Sequence, residues 1–387
     1  MNKESKNIKP IRILQVLTIM NRGGAETMIM NYYRAMDRTK VQFDFLLHRP
    51  DQGAFDKEIL SLGGKIYRMP AISPKNYFLY KKQLNLFFNT HKEYKIIHSH
   101  LNALSSIILK IAKKNDVPIR IAHSHLAVEP FIIKKLLKKN TDIVATIKDT
   151  LQSLVKYRVN KNATHYFACG LKAGEWLFGK ENLKKVTVIN NAINASLFTY
   201  SSSKTEESKS FLQLDGKKVI GHVGRFNEQK NHFFLIKIFK EIYELDKNCH
   251  LVLIGDGNLM PLIEKEAKKL NINKNVHFLG LQENIPFLIQ SFDLFLFPSL
   301  YEGLPVTLIE AQASGIPIVT SNTVTKEAKI TNLITFLDLN NSEKKWADAV
   351  LQNLKNSKTD TYKSIVKNNY DIFENAKKLQ TFYLNNY

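Results

Sequence analysis

The stretch Asp293–Ser321, DLFLFPSLYEGLPVTLIEAQASGIPIVTS, reads as strand, helix, strand. DLFLFPS is a short aromatic and aliphatic run of the kind that forms a buried strand. Pro305 sits where a first-turn proline belongs, because its missing N–H is one that a helix start leaves unpaired anyway. The apolar run behind it predicts a helix from about Pro305 to Ser314, and Gly315 can close that helix in a left-handed conformation. IPIVTS is then a second buried strand. Strands joined through helices in this way make a parallel sheet covered by helices.

The same alternation runs outward in both directions. Upstream, KKVIGHVG, HLVLIGDG and NVHFLG are strands of the same unit, most of them followed by a helical pattern such as NHFFLIKIFKEIYEL. Earlier still, IRILQVL, VQFDFLL, KIYRM, KIIHSH, PIRIAH, THYFACG and KVTVIN form an independent series. Between the two lies TYSSSKTEESKSFLQLDG, polar and serine-rich, which reads as a domain linker in or beside that stretch. A chain of 387 residues exceeds one ordinary core and fits two domains. The expected division is 1–198, 199–365, and a final polar helical segment over 366–387.

Composition narrows the function classes. Residues 1–200 hold 33 Lys+Arg against 14 Asp+Glu, a net +19, whereas the remainder holds 23 against 21. So lopsided a basic excess suits an anionic partner for the first half: a bilayer surface, a phosphorylated acceptor or nucleic acid. Cys169 and Cys249 are far apart and belong to no metal-binding cluster, so no disulfide framework or structural zinc site is indicated. The polar start MNKESKNIKP lacks a signal-peptide core, and no run approaches the roughly 18 apolar residues of a membrane span. A cytoplasmic protein with peripheral membrane contact is expected.

Strand ends carry the candidate chemistry. After KKVIGHVG, Arg225 and Lys230 lie at the carboxyl edge of the sheet beside a helix start, where ligands bind in open α/β folds and where two cations suit a diphosphate. Glu302 falls in the loop before the Pro305 helix, and Glu310 lies about a turn and a half inside it. A diphosphate on the amides near Gly303, Leu304 and Val306 would repel a carboxylate, so these acids need another target. Sugar diols supply one, since a carboxylate accepts two hydroxyl donors.

In the first half, Gly23 and Gly24 open a helix after IRILQVL and let backbone approach a ligand. The spacing is not GxGxxG, which argues against a dinucleotide site. Two HSH motifs follow, His98 with His100 and His123 with His125. A metal is not expected there, and a neutral histidine donating to a substrate hydroxyl or phosphate fits the second pair. FIIKKLLKKN alternates apolar and basic pairs, so Lys134, Lys135, Lys138 and Lys139 are candidates for a membrane or lipid-acceptor contact.

As a set, NRGGAE, VGRFNEQKN, LIGDGNL, HFLG and FPSLYEGLPVTLIEAQASGIPIV resemble a retaining glycosyltransferase of family 4, of the type that builds bacterial exopolysaccharide or capsule. The resemblance covers nearly the whole chain. It implies a GT-B fold: two Rossmann-like α/β domains facing each other across a cleft, with the last helix crossing back onto the first domain. It further implies that Arg225 and Lys230 bind the donor diphosphate, Glu310 the nucleotide ribose and Glu302 the donor sugar. Main-chain contacts would come from Gly303, Leu304 and Pro305 to sugar or phosphate, and from the Val276 to Leu279 segment to the base. Gly23 and Gly24 would close over the donor, and the active-site histidine would be His123 or His125. One departure is NAIN, Asn191–Asn194, where the family commonly has Asn-Gly and an acid.

The implied partners are a nucleotide-sugar donor, UDP-linked, and a glycan or polyprenyl-diphosphate-linked acceptor at an anionic membrane. No metal or other cofactor is expected, because the cation pair and a helix dipole can carry the leaving diphosphate. A sugar-nucleotide epimerase shares this architecture, but would need no lipid acceptor or basic first domain. A nucleic-acid binder would interleave basic and stacking aromatic residues and would leave EGLPVTLIE unexplained.

Overall fold

A computed structural model describes residues 9–125 and 155–387. The proposed membrane contact at Lys134, Lys135, Lys138 and Lys139 lies outside them. The chain divides into two compact units, one ending at Ala192 and taking in Ile372–Tyr387, the other spanning Ile193–Asp371.

The first unit carries β1 (Ile11–Leu17), β2 (Val41–Leu47), β3 (Ile66–Arg68), β4 (Ile96–Ser99), β5 (Ile119–Ser124), β6 (His165–Ala168) and β7 (Val186–Val188). Among the described residues they form one sheet in the order β3-β2-β1-β4-β5-β6-β7, and every pairing is parallel. Helices such as Gly24–Ala35 and Ser105–Lys114 put Met28, Ile29, Ile108 and Leu109 onto the sheet. The helix Ile372–Asn385 buries Ile372, Ala376, Leu379 and Tyr383 in the same core.

The second unit carries β8 (Lys218–Val223), β9 (Cys249–Ile254), β10 (Val276–Phe278), β11 (Leu294–Phe297), β12 (Ile318–Ser321) and β13 (Ile334–Leu337), again all parallel, in the order β10-β9-β8-β11-β12-β13. The helix expected over about 305–314 runs Val306–Ala313, with Pro305 as its N-cap. Gly315 follows at φ +67, and a Cβ there would lie 2.1 Å from the Thr359 carbonyl oxygen.

The serine-rich stretch read as a linker is instead the helix Ser202–Phe211 within the second unit. Ser201 caps it by accepting from the Lys204 amide, and Ser208 is buried. Serine is common at helix starts and in linkers alike, and most of this helix faces solvent, so composition could not separate the two. The division between the units comes earlier, between Ala192 and Ile193.

Candidate functional site

In each sheet the strand order reverses direction once, between β1 and β4 in the first unit and between β8 and β11 in the second. Two loops diverge at such a point and leave a crevice at the carboxyl ends of the strands. Arg225 and Lys230 sit on one loop of that crevice and Glu302, Gly303 and Leu304 on the other, whereas Val276 and Leu279 lie apart at the edge strand β10, and hydrogen bonds tie the two loops together. The Leu300 amide donates to the Gln229 carbonyl at 2.8 Å, the Gln229 side chain to the Tyr301 carbonyl at 3.0 Å, and the Asn231 side chain to the Pro298 carbonyl at 3.1 Å. Asn231 adopts φ +57, a left-handed conformation that asparagine tolerates, and so turns the chain into the helix His232–Leu245.

This bracing brings Lys230 Nζ to 2.6 Å from Glu302 Oε1, with 15% and 9% of the two side chains exposed. The ammonium also lies 4.5 Å from the centre of the Phe297 ring, a cation–π position. Arg225, on the same loop, is exposed, and its side chain makes no hydrogen bond or ion pair among the described residues. Its guanidinium is therefore available to an incoming anion.

Glu310 lies inside the helix, keeps part of its surface open and has no side-chain partner among the described residues. Burial pushes its carboxyl up to about 7. Gly303 is exposed, and nothing stands within 4 Å of where its Cβ would be, so backbone here is open to a ligand. Ser299 Oγ and Thr307 Oγ1, on either side of this loop, are buried without hydrogen-bond partners. Neither was singled out from the sequence, because a hydroxyl's missing partner is a three-dimensional fact. Val276 is buried on the edge strand β10, and the Leu279 amide donates to the Leu253 carbonyl at 3.0 Å.

The LIGDGNL stretch supports the Arg225 loop from behind. The Gly224 amide donates to Ile254 O at 2.9 Å and the Phe226 amide to Asp256 O at 3.0 Å. Gly255 holds φ +139, and a Cβ there would stand 2.1 Å from Gly224 O. Gly255→Ala is expected to cost about 2 to 4 kcal/mol through strain and clash. Urea denaturation measures the loss, and an unchanged midpoint would show that the loop yields freely.

In the first unit Gly23 is the N-cap of Gly24–Ala35, with φ −103 and no side-chain cap. On the neighbouring strand ends the four histidines join into two chains. The Gln15 Oε1 atom can only accept, so His100 Nε2 donates to it (2.8 Å). His100 Nδ1 must then accept from His125 Nε2 (2.8 Å). Gln15 Nε2 donates to the Tyr383 hydroxyl, which in turn donates to His98 Nδ1 at 2.7 Å, and His98 Nε2 donates to His123 Nδ1 at 3.1 Å. His123 Nε2 is left buried without a partner.

All four imidazoles are held neutral. Burial, then neighbouring imidazoles, lowers His98, His100 and His123 well below the usual histidine value, and burial takes His125 down to about 4. Nitrogens of His98, His100 and His123 lie within 4.8 Å of one another, a spacing that could admit a metal ion. Their Nδ1 lone pairs are already engaged in the chains, so a cation would have to break those bonds. The void they share with Gln15, Tyr32 and Tyr383 is about 10 Å³, too small for a sugar. His123 is fully buried within β5, whereas His125 lies just past the strand end and is partly exposed.

Two parallel-sheet α/β units of this topology are the architecture of the GT-B fold, and the family and relatives this chain matches are glycosyltransferases. Residues 22–197 match the family described as Glycosyltransferase Family 4, and residues 203–372 match Glycosyl transferases group 1. The chain is 39% identical over 344 residues to the putative glycosyltransferase EpsF of Bacillus subtilis (strain 168), which covers 88% of this chain and 86% of that one. It is 24% identical over 388 residues to the capsular polysaccharide biosynthesis glycosyltransferase CapH of Staphylococcus aureus, covering 97% and 99%. Anabaena Alr3699/HepE, in a crystal structure with UDP-glucose, superposes with a TM-score of 0.68 at 17% identity over 96% of this chain and 94% of that one. The chain belongs to glycosyltransferase family 4.

Proposed function

We propose that the chain is a retaining transferase that moves a sugar from a UDP-linked donor to a glycan or polyprenyl-diphosphate-linked acceptor in cell-surface polysaccharide synthesis, at the cytoplasmic face of an anionic membrane. The observation that carries the donor reading is the crevice of the second unit. There unpaired Arg225, Lys230 held against Glu302, and partner-free Glu310 lie on the loop and helix that follow β8 and β11. Arg225 and Lys230 bind the diphosphate, Glu310 accepts from the ribose hydroxyls, and Glu302 holds the sugar. Main chain at Gly303, Leu304 and Pro305 lies against sugar or phosphate, and Val276 to Leu279 beside the base. The polysaccharide setting draws on the capsular relative, and the uridine donor on the UDP-glucose complex of the structural neighbour.

In this reading the bond from the anomeric carbon to the donor phosphate breaks with both electrons leaving on the diphosphate. The acceptor hydroxyl attacks from the same face, and a phosphate oxygen takes its proton. No protein nucleophile is needed, and the two cations with the helix N-terminus carry the leaving charge without a metal. In the first unit, Gly23 and Gly24 allow close backbone approach. His125 is the histidine assigned to substrate, because it lies just past the strand end and is partly exposed, whereas His123 is fully buried. Incubation with UDP-glucose, UDP-galactose or UDP-N-acetylglucosamine and a bacterial lipid extract tests the reading. It is expected to release UDP and leave an α-linked sugar on lipid. A β-linked product would refute retention, and an epimerised nucleotide sugar without transfer would favour the epimerase.

A further inference from the structure

The helix Tyr77–Thr90, between β3 and β4, carries apolar side chains on both of its faces. Tyr80, Leu84 and Phe88 are buried against the sheet. On the opposite side Phe78 is 83% exposed, Leu79 56% and Leu86 64%. Positions 78, 79, 82 and 86 fall within about 100° of one another on a helix, so these three side chains and Lys82 make a single stripe. Lone exposed leucines are ordinary, but a stripe of three large apolar residues on one helix marks a contact surface.

Charge says what covers it. No acidic residue occurs between Glu58 and Glu93, while Lys65, Arg68, Lys75, Lys81, Lys82 and Lys92 all fall in that interval. Lys75 and Lys82 are exposed beside the stripe. An apolar stripe with exposed lysines beside it, on a segment that carries no acid of its own, fits the headgroup region of an anionic bilayer, with the rings and aliphatic groups below the phosphates and the ammonium groups among them.

The helix is also held firmly. Ser73 and Asn76 cap its entry turn reciprocally, and Tyr80 OH lies 2.6 Å from His48 Nε2, just past the end of β2. Its first turn, with Phe78 and Leu79, therefore sits at the carboxyl edge of the sheet, the edge that carries Gly23, Gly24 and His125. We propose that the Phe78, Leu79, Lys82 and Leu86 face docks on an anionic bilayer and sets the lipid surface beside that edge. The proposal rests on the lipid-linked acceptor reading and names the surface that serves it.

Flotation of the full chain with phosphatidylglycerol-containing vesicles and with pure phosphatidylcholine vesicles tests it. The protein is expected to float with the anionic vesicles, and the triple variant Phe78→Ser, Leu79→Ser, Leu86→Ser to lose at least about tenfold of that binding. Lys75→Gln with Lys82→Gln is expected to weaken it less, and mainly at low salt. The thermal shift given by UDP-glucose is expected to be the same in all of them, which reports folding. Equal flotation of the triple variant overturns the proposal, as does equal binding of wild type to both vesicles or to neither. A concentration-dependent dimer that the triple variant abolishes would also overturn it, by making the face a contact between copies. Failure of the donor reading would appear separately, as no UDP-glucose shift in wild type.

Discussion

UDP-glucose binding is expected to weaken about tenfold between pH 8 and pH 6 in the wild-type protein and to stay level in Glu310→Gln. The cause is the Glu310 carboxyl, which burial raises to about 7 from an ordinary value of 4.5. A carboxylate can accept from both ribose hydroxyls, whereas the protonated acid gives up part of that capacity. Binding therefore has to take a proton off Glu310 below pH 7 and does not above it. UDP-glucose is a diphosphate diester with no group titrating in this window. His222 and His232, beneath the Arg225 loop, are held neutral by burial, His232 down to about 4. Calorimetry in buffers of different ionisation enthalpy should record proton release on binding near pH 6. A level wild-type profile would remove Glu310 from the ribose.

The sign of the accompanying stability effect is fixed. A carboxyl whose folded value is raised leaves the fold most stable below about pH 4.5, and that contribution is lost as pH rises through about 7. The full loss is about 3 kcal/mol. Glu310→Gln is therefore expected to be more stable than wild type at pH 8 and close to it at pH 4.5, measured by urea denaturation in each buffer. In the role proposed for it, the same side chain would cost stability at the pH where it would bind best, a trade common at functional sites.

How much of this was legible follows from the kind of signal each feature leaves. The β11–helix–β12 unit was readable because a buried strand, a first-turn proline and a closing glycine are local and mutually consistent. The placement of Arg225, Lys230 and Glu302 at one sheet edge followed from it, because strand ends can be read in order along a parallel sheet. The direct pairing of Lys230 with Glu302 could not be read, since it depends on β8 and β11 becoming neighbours and on the bonds from Leu300, Gln229 and Asn231 across the two loops. The histidine chains are a stronger case. The two HSH motifs were visible, but their join runs through Gln15 on β1 and Tyr383 on the last helix, residues with no chemical signature of their own. Long-range partners of this kind are set by packing, which one sequence does not display.

The largest effects are expected at Lys230 and Glu302, and they should differ in kind. The pair is short and nearly buried, so in the ligand-free protein Glu302 neutralises the charge that the diphosphate would use. Lys230→Met strands a carboxylate that is only 9% exposed, which should cost about 3 to 5 kcal/mol of stability. It should also weaken UDP binding about a hundredfold through loss of a charge-assisted contact. Glu302→Gln keeps an acceptor for the ammonium and removes a charge that competes with phosphate. UDP, which has no sugar, should bind that variant at least as well as wild type, while kcat/KM for transfer from UDP-glucose falls about 10²-fold or more. In the double variant Lys230→Met, Glu302→Gln, stability should recover by more than about 1 kcal/mol over Lys230→Met alone, the mark of a coupled pair. Calorimetric titration with UDP, urea denaturation and initial rates on the four proteins read all of this. Weaker UDP binding in Glu302→Gln, of the same size as in Lys230→Met, would mean that the glutamate serves the phosphate through the lysine and does not hold the sugar.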